Sequence, residues 1–260
     1  MPSAVAVGGF MTAATLIALV WGRALWYLTE RTQVVRSWVF FAMGYTQRQF
    51  SEVRALLLSA IYYALGLLAA LLLAIAFRLH LPSLISFAPS HVAWTLLGIV
   101  GEISLANLLI DLSVRLTGTG SPERTMELRD IPWMKGIREL PPAAVPFAAA
   151  IGGVVEEIFF RGIVLRIMTD RLAIAPMLAV AIAGALFVFQ QLVQLQTPFQ
   201  AMVIGAGCIS ISLVGGILVV QTGSILPALL SHASFVLFFM SQGNAAPANS
   251  YRPKAEMAAR

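Results

Sequence analysis

The stretch Val155-Glu156-Glu157-Ile158-Phe159-Phe160-Arg161-Gly162 sets two adjacent carboxylates and a guanidinium inside an apolar run. On a helix, residues four apart share a face, so Glu157 and Arg161 can form an intrahelical ion pair. Glu156 lies about 100° further around the helix and must point elsewhere: at another helix, a water-filled cavity or a metal. Ionisable groups in apolar spans are costly, so each calls for a partner or a task. A desolvated carboxylate without a fixed counter-charge suits a general base acting on water. The same residues could equally form a structural ion-pair network that locks a helix bundle. Three more polar features interrupt apolar runs: Glu102 with Asp111, a glutamine cluster at Gln190-Gln191, and His232.

The elements that must position these groups are membrane spans. Of 260 residues, 59% are hydrophobic and only 11% charged, against roughly 25% charged in a soluble domain. That is too little charge to cover a water-exposed surface, so the excess apolar material faces lipid. Seven apolar runs are long enough to cross a bilayer: Phe10–Leu28, Ala55–Phe77, Val92–Val114, Val145–Met168, Leu172–Val193, Phe199–Val220 and Ile225–Ser241. The predicted fold is all-α, a polytopic transmembrane bundle of about seven spans. The first run lacks a basic segment before it and a small-residue cleavage site after it, so it reads as a retained span rather than a secretory leader. Between the first two runs, aromatic Ser37–Tyr45 is expected to be a short interfacial segment.

Four regions follow. Residues 1–116 form an amino-terminal three-helix membrane region, 117–142 a polar connection, 143–242 a four-helix membrane core, and 243–260 a disordered tail. The basic loops holding Arg31, Arg36, Arg48 and Arg54, and Arg115, Arg124, Arg129, Lys135 and Arg138, are assigned to the cytoplasmic side. The amino terminus is then outside and the carboxyl terminus inside, in agreement with Arg252, Lys254 and Arg260. Arg166 and Arg171 conflict with this, since their loop falls outside. His80 and His91 flank an outer loop and are expected to be interfacial or solvated. The single cysteine, Cys208, excludes an intrachain disulfide and reads as a small packing residue. The net charge of +5 comes with no basic domain or nucleic-acid motif, and no nucleic-acid partner is expected.

Glu156-Glu157-Ile158-Phe159-Phe160-Arg161-Gly162 closely resembles the EExxFRG signature of the CPBP family, also called Abi or CAAX-protease-like, over Val145 to about Met240. Gln221-Thr222-Gly223-Ser224, leading to Ser231-His232, is similar to that family's turn into its final histidine helix. The resemblance implies an intramembrane endopeptidase in which Glu156 activates water and His232 stabilises the oxyanion. Glu157, Arg161 and Gln191 would organise the site. A bacterial cytoplasmic membrane is the expected setting.

Two positions depart from the family's pattern. In Leu186-Phe187-Val188-Phe189-Gln190-Gln191-Leu192, Gln191 stands where the family's FxxxH has histidine. Val236 stands where its HxxxN/D has an amide or acid. Glutamine can hold a water but cannot take its proton near neutral pH and is a poor metal ligand. Valine offers no oxyanion donor. Three functions are therefore weighed: an intramembrane endopeptidase, a catalytically silent scaffold or accessory subunit for another membrane protein, and a small transporter. The last is disfavoured, because no internal repeat is present. The partners expected are the lipid bilayer and a membrane protein or peptide, as substrate or as bound complex. One histidine with glutamates is a thin donor set for a metal, and no metal ligand is assigned.

Overall fold

The computed structural model describes residues 3–30, 32–119 and 127–244. Helices α1 (Ala4–Glu30), α2 (Thr32–Thr46), α3 (Phe50–Ala76) and α4 (Ser90–Thr117) come first. A short α5 (Pro132–Arg138) precedes α6 (Val145–Glu157), which continues without a break into π-helical turns at Ile158–Val164 and Ile167–Arg171. Helices α7 (Pro176–Leu192), α8 (Pro198–Thr222) and α9 (Leu226–Asn244) complete the described chain. No strand occurs among the described residues. The protein is an all-α helical bundle.

Local sequence explains where these helices begin and end. Proline stands in the first turn of α6, α7 and α8, where its missing N–H removes no helical bond. Thr197 and Gln200 form a reciprocal capping box at the start of α8. Gly223 ends α8 with φ of 69°, the left-handed conformation that only glycine adopts cheaply. The turn behind it is tied to the α3–α4 connection. Ser224 Oγ donates to the Ser86 carbonyl at 2.9 Å and accepts from the Ser86 amide at 3.2 Å, while the Ile225 amide donates to the Leu84 carbonyl at 2.9 Å.

Among the described residues, four helical segments are long and apolar enough to cross a membrane: Ala4–Ala24 of α1, α3, α4 and α8. Shorter apolar helices are α7 and Leu226–Ser241 of α9. Leu67, Leu68, Leu71, Leu72 and Ile75 of α3, with Leu96, Leu97, Val100 and Leu108 of α4, turn outward. Such a surface suits lipid and not water. The chain is an integral membrane protein.

The α6 rod occupies the interior. Phe159, Phe160, Ile163, Val164, Leu165, Ile167 and Met168 are all buried, as expected of a helix that is apolar all round. Around it, α3 and α9 pack on the rod, α7 and α8 on each other, α4 against α8 and α9, and α1 against α7. Close approach depends on small residues. A Cβ at Gly66 would come 2.4 Å from the Trp21 ring and 2.6 Å from Val155, so α1, α3 and α6 can meet only because that position has none.

Several local expectations are refined. The aromatic segment after α1 is a regular helix, α2, packed on α3 through Val35, Val39, Val53 and Leu58. The polar connection contains α5, anchored by buried Ile131 and Leu140. Asp111 is exposed on α4 and paired with Arg115 at 2.8 Å. His91 is buried, not solvated, because it opens α4 beside Phe87 with their rings 6.5 Å apart. The arginines that conflicted with the charge bias hold backbone. Arg166 donates to the Gly223 carbonyl and Arg171 to the Arg78 carbonyl, so they tie connections at one end of the bundle. Cys208 is buried and unpaired, as a packing residue should be. Arg31, Arg124 and the expected disordered tail beyond Asn244, including Arg252, Lys254 and Arg260, lie outside the described residues.

Candidate active site

The two glutamates end the α-helical part of α6, immediately before the backbone widens into its π-turn. Such turns often sit at functional sites. Adjacent on the helix, their carboxylates enter different surroundings.

Glu157 meets charge. Its Oε1 lies 3.0 Å from Arg161 Nη1 and 2.9 Å from His232 Nδ1. The Arg161 guanidinium also sits over the Phe187 ring, 4.8 Å from its centroid, a favourable cation–π placement. Glu157, Arg161 and His232 are each no more than 2% exposed. The predicted pair of Glu157 with Arg161 is present, and the histidine of α9 joins it.

Glu156 meets neutral donors. Its Oε1 accepts a hydrogen bond from the Tyr62 hydroxyl at 2.6 Å and another from Gln191 Nε2 at 2.8 Å. Gln190 Nε2 in turn donates to the Tyr62 oxygen at 2.9 Å. The other carboxylate oxygen, Oε2, faces His232 Nε2 at 3.9 Å. That separation is too long for a direct hydrogen bond, yet one water could lie about 2.8 Å from both atoms. With its Nδ1 proton held by Glu157, the imidazole presents Nε2 towards Glu156.

The residues picked out by sequence thus come together: Glu156, Glu157, Arg161, Gln191 and His232 form one buried polar cluster. Val236 is packed among the apolar residues around the core and brings no polar group. Among the described residues, no three His, Cys, Asp or Glu side chains are grouped to hold a metal ion.

The model of the Rce1-like family, type II CAAX prenyl endopeptidase Rce1-like, matches residues 138–238. Over this region the chain is similar to the CAAX-protease-like family. Neither curated proteins nor solved structures yield a match to the chain. The Rce1-like region supplies Glu156, Glu157, Arg161, Gln190, Gln191 and His232, whereas Tyr62 comes from α3, outside it.

Tyr62 was not singled out from the sequence, and no local pattern marks it: Tyr62-Tyr63 reads as two aromatics on an apolar helix. Gln190 was legible only as part of a glutamine cluster. Glu102, whose location the sequence left open, is fully buried on α4 with neither carboxylate oxygen hydrogen-bonded. It lies beside Ser231 and within electrostatic reach of His232, Glu157 and Arg161. The apolar face of α4 places it against α9, but nothing in its spacing announces that.

Proposed function

We propose that the chain is a glutamate-dependent intramembrane endopeptidase that hydrolyses a peptide bond of a membrane protein or membrane-bound peptide. The observation that carries this reading is the free Oε2 of Glu156 facing His232 Nε2 across 3.9 Å, with Oε1 already occupied by two donors. A water between the two groups gives its proton to Glu156, and the resulting hydroxide attacks the scissile carbonyl carbon. Protonated His232, held by Glu157, donates from Nε2 to the developing oxyanion. Glu156 then returns the proton to the departing amine as the carbon–nitrogen bond breaks.

Arg161 keeps Glu157 charged and in place, and Gln191 orients Glu156 without taking a proton. Val236 leaves the oxyanion one donor short of the family's pattern, and such a loss costs about 2.7–4 kcal/mol of transition-state stabilisation. Slow turnover is the expected consequence. The setting proposed is a bacterial cytoplasmic membrane, with the amino terminus outside and the carboxyl terminus inside. Residues 143–242 serve as the hydrolytic core and 1–116 as its amino-terminal support.

A second reading is favoured by Gln191 and Val236: a silent family member that binds and stabilises another membrane protein complex. One experiment separates the two. The full chain and its Glu156→Gln variant are purified from their host membrane in mild detergent, and the accompanying proteins are identified. A membrane protein that accumulates uncut with Glu156→Gln, and appears shortened with the parent chain, supports hydrolysis. A stoichiometric partner, intact and equally abundant with both, overturns it in favour of the scaffold.

A further inference from the structure

Resting on the hydrolytic reading, we infer that Tyr62, contributed by α3 from outside the Rce1-like region, is a positioning residue that selects which oxygen of Glu156 acts as the base. Gln190 reaches Tyr62 through its amide nitrogen at 2.9 Å, and an amide nitrogen only donates. The phenol oxygen therefore accepts from Gln190, and its single proton is directed to Glu156 Oε1 at 2.6 Å.

A second donor, Gln191 Nε2, reaches the same oxygen at 2.8 Å. Two donors on one oxygen fix the rotation of the carboxylate and occupy that oxygen's lone pairs. Oε2 is left as the oxygen facing His232. Without Tyr62, the carboxylate could turn and present either oxygen, and the water site between Glu156 and His232 would lose its definition.

The fold holds Tyr62 for this purpose on several sides. Trp21 Nε1 donates to the Tyr62 carbonyl at 3.0 Å, and its ring packs 4.9 Å from the Tyr62 ring. Gly66, one turn along α3, admits Trp21 and Val155. The neighbouring Tyr63 hydroxyl donates to the Ala148 carbonyl at 2.6 Å, which pins α3 to α6 directly. The hydroxyl of Tyr62 is thus the end point of packing between α1, α3 and α6. It also supplies part of what Gln191 lacks. Histidine at position 191 could act on the water; here a phenol and two amides orient the glutamate instead.

The test uses the full chain in host membranes and follows, by pulse–chase, processing of the protein that accumulates uncut with Glu156→Gln. Tyr62→Phe keeps the ring and its packing and removes only the hydroxyl. The expected result is a roughly 10–100-fold slower cleavage, the worth of one hydrogen bond to a charged group. Capture of the uncut protein should be unchanged. Gln190→Leu, which acts only through Tyr62, is expected to slow cleavage less. The double variant should be no slower than Tyr62→Phe alone, a coupling that independent structural damage would not give.

Cleavage at the parent rate in Tyr62→Phe overturns the inference while leaving the hydrolytic reading intact. If Tyr62→Phe fails to accumulate in the membrane, Gln190→Leu decides, and parent-like cleavage there overturns the inference equally. Additive effects of the two variants would also overturn it, since Gln190 would then act by another route. If Glu156→Gln causes no protein to accumulate, the hydrolytic reading falls and the inference falls with it.

Discussion

Glu156 and Glu157 are neighbours in sequence and almost opposites in surroundings. Glu157 is held by charge, from Arg161 one turn along its own helix and from His232 on α9. Every partner of Glu157 lies within the region that matches the family. Glu156 is held by neutral donors, and the shortest of its hydrogen bonds comes from Tyr62 on α3. A buried carboxylate whose charge is compensated is a structural joint. One that receives only neutral hydrogen bonds, and keeps an oxygen free, is available for proton transfer. On the proposed hydrolytic reading the pair divides its labour: Glu157 would assemble the site and Glu156 would work in it.

Removing Arg161 strikes hardest at the structural side. Arg161→Met breaks a buried ion pair and leaves Glu157 with His232 alone as a charged partner; breaking such a pair costs about 3–5 kcal/mol. The variant should melt far below the parent chain in detergent, or fail to accumulate. A parent-like melting temperature would mean that Glu157 does not depend on its ion pair. Gly66→Ala attacks the other side through packing. The added Cβ meets Trp21 and Val155, and overpacking of this kind costs about 1–3 kcal/mol. Cleavage should fall alongside the melting temperature, because α3 carries Tyr62; cleavage unaffected by that strain would separate α3 from the site.

Gln191→His sharpens the contrast in the opposite sense. It places a group able to accept a proton beside Glu156, and the cleavage rate should rise about tenfold or more. A fall would show that the amide's donated hydrogen bond matters more than the missing base. The smallest effect is expected away from both glutamates. Arg115→Ala breaks an exposed pair with Asp111 and should change stability by about 0–1 kcal/mol, which a melting curve in detergent would register as little or no shift.

Much of this division could be read in advance, and for physical reasons. Ion pairing at a spacing of four residues is local, so Glu157 and Arg161 were legible together. The angle between adjacent helical residues likewise separated Glu156 from that pair. His232 was reachable through its motif. Tyr62 was not, because its role depends on how α3 lies against α6, a tertiary fact without local signature. The burial of His91 escaped the sequence for a similar reason. Closeness to a helix end does not say whether a side chain turns into the bundle or out of it, and here His91 turns in and Asp111 out. Arg166 and Arg171 had looked like misplaced cytoplasmic charges, whereas they serve as donors to backbone carbonyls.

The most direct measurement compares Glu156→Gln with Glu157→Gln in the same membranes, reading thermal stability and cleavage of the accumulating protein side by side. Glu156→Gln should melt close to the parent chain and lose cleavage by about a thousandfold or more. Glu157→Gln should lose stability first, because Arg161 would be left buried without its counter-charge. If Glu157→Gln stays stable while Glu156→Gln unfolds, or if Glu156→Gln still cleaves at the parent rate, the assignment of structural and reactive roles to these two glutamates is contradicted.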